Sequence, residues 1–80
     1  MTMNDDEPVV SIGRIVHYVS YGTPGGEFTS ECRAAIVTKV EANEYVDLCV
    51  MNPDWLFFNH RVGRVDSVKQ GGSWHWPERT

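Results

Sequence analysis

The segment Gly72-Ser73-Trp74-His75-Trp76-Pro77-Glu78-Arg79-Thr80 constrains this chain most, because it carries two of the three tryptophans. Chain ends normally fray into small polar residues, and a fraying end has no use for two indoles. In an extended segment, Trp74 and Trp76 point to one face and His75 to the other. A final strand is therefore expected here, one that docks to close a small core or to line a recognition surface.

A chain of 80 residues supports one domain, at a size where a single core is only marginally sufficient. Three Trp, three Tyr and three Phe partly compensate, since each aromatic can bury about 150–250 Å². Little remains for both a scaffold and an elaborate catalytic pocket, so a binding protein is expected rather than an enzyme. The formal charge is −4, but Asp5, Asp6 and Glu7 fall in a segment, residues 1–8, that reads as a flexible acidic leader to a single domain over 9–80. Without those three, the chain has eight acidic against seven basic residues. That balance disfavours duplex DNA as a partner. No run approaches the roughly 20 apolar residues of a membrane span, and no signal-peptide pattern opens the chain, so a cytoplasmic location is expected.

Apolar residues recur with a period of two, and no 3.6-residue stripe is present. A long first strand is expected over Val9–Tyr21, bent at Gly13. Gly22-Thr23-Pro24-Gly25-Gly26 opens a loop that runs through Ser30. The second strand is expected over Cys32–Val40, with Ala34, Ile36 and Val40 on its inward face. After a turn at Glu41–Glu44, the third covers Tyr45–Met51, with Val46, Leu48 and Val50 inward and Asp47 and Cys49 outward. Asn52-Pro53-Asp54 breaks the chain before a short strand, Trp55–Asn59. Val62–Val68 is ambiguous, and Gly71-Gly72 precedes the Trp-His-Trp strand. Five or six short strands without a helix predict an all-β fold: a small, strongly bent five- to six-stranded barrel, SH3-like, with an OB-like barrel as the alternative. Closure also removes the unpaired edges of so small a sheet.

The stretch Ile12-Gly13-Arg14-Ile15-Val16-His17-Tyr18-Val19-Ser20-Tyr21-Gly22-Thr23-Pro24-Gly25-Gly26 and the later Ser30-Glu31-Cys32-Arg33-Ala34-Ala35-Ile36-Val37-Thr38 resemble a group of short bacteriophage, prophage and actinobacterial proteins. Leu56-Phe57-Phe58-Asn59 and Trp74-His75-Trp76-Pro77-Glu78 are similar to the later segments of that group. The group has no established activity. The resemblance implies a phage context, in which small proteins bind host factors or signalling molecules, and it carries over no catalytic residue.

His17, Cys32, Cys49, His60 and His75 are all potential metal ligands, but none stands in a C-x₂-C or H-x₃₋₅-H spacing. No metal site or cofactor is expected from that pattern. The cysteines read as small hydrophobes. Cys32, sharing parity with Ala34 and Ile36, is expected to be buried and not a nucleophile, and opposite facings are expected to keep it from pairing with Cys49. The glycine-rich loop lacks the lysine and the following helix of a phosphate-binding P-loop.

The remaining constellation is aromatic and polar: Tyr18, Tyr21 and Phe28 around the first loop, Ser30 and Arg33 beyond it, and Asn59, Arg61, Trp74, His75 and Trp76 from later strands. Aromatic faces stack flat ligands, and arginine grips phosphate or carboxylate with two parallel bonds. Core packing is the competing explanation for the same aromatics. The expected function is a non-enzymatic interaction module that self-associates or binds a partner protein, a host protein if the chain is phage-encoded. A protein that sequesters a small anionic or aromatic, nucleotide-like ligand is the alternative, and single-stranded nucleic-acid binding a weaker one.

Overall fold

A computed structural model describes residues 9–22 and 30–77. The Met1–Pro8 leader, Phe28 and most of the first loop lie outside the described residues. Five strands form: β1 (Ile15–Val19), β2 (Cys32–Val40), β3 (Val46–Met51), β4 (Leu56–Arg64) and β5 (Ser73–His75), with a 3₁₀ turn at Ala42–Glu44. They close into a barrel in the order β1-β2-β3-β4-β5. Strands β1 to β4 follow one another as an antiparallel meander. β5 returns antiparallel to β1 and closes in parallel on the end of β4. An OB barrel would need Greek-key connections, so the topology follows the SH3-like expectation.

The expected long first strand is shorter, because the chain turns at Ile12-Gly13. Gly13 takes φ +93°, a conformation that suits glycine, and donates its N–H to the Val37 carbonyl at 2.8 Å. β2 has the expected bounds, but Ala34 and Ile36 lie on the outer face. Ala35 and Val37 are the buried positions. A bulge at Thr38 shifts the register between Val37 and Lys39. Only beyond it does Val40 come opposite Val46, at an exposed rim. The four apolar residues Ala34 to Val37 suit either face, and pairing with β1 and β3 selects between them.

β3 has the expected alternation, with Val46, Leu48 and Val50 fully buried. The expected short strand continues through the first three residues of the ambiguous stretch, to Arg64, as one strand, β4, that passes through a second bulge at His60-Arg61; residues 65–68 lie outside it. There Asp47, expected to face solvent, is only 8% exposed. Its carboxylate accepts the Arg61 N–H at 2.9 Å and lies 3.0 Å from His60 Nδ1. Arg61 sits at φ +55° to make this contact. His60 first and then the Arg61 N–H hold the Asp47 carboxyl below its ordinary pKa.

The core joins Val16, Tyr18, Ala35, Val37, Val46, Leu48, Val50, Val62 and Trp74. Trp74, from the last strand, is 0% exposed and the largest fully buried side chain. Its indole donates Nε1–H to the Glu44 carbonyl at 2.9 Å, an acceptor presented by a turn in which Asn43 and Glu44 both take positive φ. Trp76 packs edge-on against it with ring centroids 5.4 Å apart. The terminal strand therefore closes the barrel as expected, although its ladder ends at His75. Among the described residues no helix is long and apolar enough to cross a membrane.

Candidate functional site

The ladder fixes which side chains share the outer surface, since successive residues of a strand alternate faces. One row crosses four strands as Ile15, Ile36, Cys49 and Phe58, each opposite the next. The neighbouring row runs His75, His17, Ala34, Met51 and Leu56 across all five. Within these rows Phe58 is 64%, Leu56 59% and Ile15 57% exposed, while Ile36, Cys49 and Met51 are half-buried. The two rows make a continuous uncharged outer face over β1 to β4, apolar but for the histidines at its β5 end. Beside them Ser73, Val19 and Cys32 align across β5, β1 and β2, with Ser73 and Val19 buried and Cys32 exposed.

Several residues expected at a binding site serve the fold instead. Tyr18 and Trp74 are cross-strand partners inside the core. Burial pushes the Tyr18 hydroxyl above its ordinary pKa near 10.0, with a smaller contribution from Tyr21, while a hydrogen bond with Asn59 opposes the rise. Ser30 donates its hydroxyl to the Ser20 carbonyl at 2.7 Å and so ties the base of the first loop. Tyr21 is exposed but lies across Gly71 and Gly72; a Cβ on Gly72 would overlap its hydroxyl. Arg61 pairs with Glu41 at 3.2 Å. Arg64 pairs with Glu44 at 3.0 Å and Asp66 at 2.7 Å. Both arginines are thus paired with carboxylates. A shallow cleft beside them, lined by Tyr45, Arg61, Arg64 and Asp66 among others, gathers none of the expected aromatics.

Arg33 and Trp76 differ in carrying side-chain donors with no partner. Arg33 Nε and Trp76 Nε1, together with Asn52 Nδ2 of the β3–β4 turn, are buried without a hydrogen-bond partner. Arg33 stands opposite Tyr18 on the inner face, at the barrel end that also carries Asn52. Tyr18, Phe57 and Trp55 form an aromatic run there, with successive ring centroids 6.1 and 5.3 Å apart.

The third grouping was not legible in the sequence. His17 and His75 are direct cross-strand partners, with ring centroids 5.4 Å apart and ring planes at 85°. Cys32, opposite Val19, reaches them on the diagonal, with Sγ 3.9 Å from His75 Nε2. Contrary to expectation, the Cys32 thiol is exposed. Cys32 and Cys49 are both free, as expected, but for a different reason. They share the outer face, and Cys49 pairs with Ile36, four residues from Cys32 along β2, or about 13 Å. His75 lies opposite the tryptophan side, as expected, yet is only 5% exposed.

Fold and surfaces together define a small closed five-stranded β-barrel with an apolar outer face and a histidine–cysteine cluster at its closing seam. Compared with family models, with curated proteins and with solved structures, the chain matches none.

Proposed function

We propose that this chain is a non-catalytic β-barrel interaction module that self-associates through the outer face of β1 to β4. The observation that carries this reading is the register that aligns Ile15, Ile36, Cys49 and Phe58 beside Ala34, Met51 and Leu56. With about 100 Å² open on each of the three most exposed side chains and less on the others, the patch is on the order of 400–500 Å², the size of the largest apolar patch on a typical protein, which is often functional. A standard interface takes about 800 Å² from each partner, so this patch and its polar rim match one half of a dimer. A two-fold interface uses the same patch on both copies, so the apolar rows of one barrel can meet those of a second.

Sedimentation velocity of the wild type and Phe58→Asp tests this. The wild type is expected to sediment as a dimer and the variant as a folded monomer. A monomeric wild type at the highest soluble concentration, or a variant that dimerises equally well, would refute self-association through this face. In the first case a host protein, which the phage resemblance suggests, becomes the occupant to seek.

The unpartnered donors of Arg33 and Asn52 beside Tyr18 and Phe57 support a second reading, a small anionic aromatic ligand held at the barrel end. Equilibrium dialysis against nucleotides separates it from the first: binding would be lost in Arg33→Gln and unchanged in Phe58→Asp.

A further inference from the structure

We propose that His17, Cys32 and His75 form a zinc site that ties the closing seam of the barrel. The three residues come from three adjacent strands, with β1 between β2 and β5. One ligand atom from each lies within 4.8 Å of the other two. With Zn–N of 2.0–2.1 Å and Zn–S of about 2.3 Å, tetrahedral zinc sets N···N near about 3.4 Å and N···S near about 3.6 Å. The observed Sγ···Nε2 separation of 3.9 Å is within a few tenths of an ångström of that edge. No separation among the three exceeds 4.8 Å. The edge-on imidazoles do not stack, so a nitrogen of each can turn toward one point.

The donor set selects the metal. One thiolate and two imidazoles suit a borderline-soft ion that accepts a tetrahedral environment, whereas magnesium and calcium require oxygen ligands. Burial is graded across the site: His75 is nearly enclosed, His17 half-buried and Cys32 exposed. The inner ligands are therefore held by the barrel wall, while the thiol side gives the ion its path of entry. Three protein ligands leave a fourth position for water or an incoming donor, as in open zinc sites.

The location also gives the metal a structural purpose. β5 has three residues and meets β1 over three pairs and β4 over two, so closure rests on a short ladder and on Trp74. Small domains commonly add a metal or disulfide staple where the core alone is marginal. Here an ion would join β2, β1 and β5 across that ladder.

The test uses untagged, full-length protein stripped with a chelator and then titrated with Zn²⁺ and, separately, Co²⁺. One metal per chain is expected, with a thiolate-to-cobalt charge-transfer band and the visible bands of tetrahedral cobalt. Cys32→Ser, at an exposed position, is expected to keep the far-ultraviolet circular dichroism of the wild type and to lose the charge-transfer band. Its zinc affinity is expected to fall at least about 100-fold, since losing even a supporting contact costs 10–100-fold. Zinc at about 100 times its dissociation constant is expected to raise the wild-type melting temperature on the order of 10 °C, and to move His17→Gln far less. Sub-stoichiometric binding, cobalt bound without the thiolate band, or unchanged zinc affinity in folded Cys32→Ser would each overturn the site.

Discussion

Replacing Trp74 by phenylalanine tests whether the last strand closes the barrel through its indole. Trp74→Ala is too severe for the purpose: truncating a buried tryptophan costs about 3–5 kcal/mol, as much as a domain of this size has in total. Phenylalanine keeps one ring and removes three identifiable contributions. The Nε1–H bond to the Glu44 carbonyl at 2.9 Å is lost, which costs about 0.5–1.5 kcal/mol. The residue becomes smaller by about 40 Å³, and at about 24 cal/mol per Å³ the unfilled space adds about 1 kcal/mol. Lost apolar burial adds about another 1 kcal/mol. The expected destabilisation is therefore about 3 kcal/mol, a fall of about 10–20 °C in melting temperature. Urea and thermal unfolding followed by far-ultraviolet circular dichroism measure it without relying on tryptophan emission. Both proteins should be metal-free, so that the zinc proposal does not enter the result. A loss below about 1 kcal/mol would refute the reasoning, because it would mean that neither the enclosed ring nor its bond to the 3₁₀ turn holds β5 in place.

Gly72→Ala is expected to cost about 1–3 kcal/mol, because φ is +82° there; chemical denaturation measures it, and a neutral result would refute that backbone conformation in the turn before β5. Asp47 stabilises the β4 bulge as a carboxylate whose folded pKa is depressed below its ordinary value of 3.8. That contribution is complete above the unfolded pKa and is lost as pH falls through the folded one. Asp47→Asn is therefore expected to lose less stability than the wild type as pH drops below about 4. Parallel acid-denaturation curves for the two proteins would contradict this.

Local chemistry made much of the fold legible. β3 was readable because Val46, Leu48 and Val50 alternate with polar Asp47 and with Cys49, so only one face could be buried. The break at Gly13 was readable because few other residues adopt its backbone conformation, and the structural weight of Trp74 because so large an apolar ring gains most from burial. β2 was readable in extent but not in orientation. Ala34, Ala35, Ile36 and Val37 suit either face, and the bulge at Thr38 means that no single parity holds along the strand. Asp47 looked like a solvated residue because its partners at His60 and Arg61 come from a second bulge thirteen and fourteen positions away.

The surfaces were decided by tertiary structure. Ile15, Ile36, Cys49 and Phe58 have no mutual spacing that would mark them as a row; three antiparallel registers put them side by side. Arg33 was a reasonable ligand candidate from charge alone, but only its place opposite Tyr18 leaves its Nε buried and without a partner. His17, Cys32 and His75 carry the plainest form of the lesson. Metal ligands are legible in a sequence when a short turn or a single helix holds two of them, because local geometry then sets their separation. Here β1 and β5 are joined across most of the chain, and barrel closure alone brings a histidine from each beside one cysteine of β2. The residue types were determined by the sequence, and their meeting by the return of the last strand to the first.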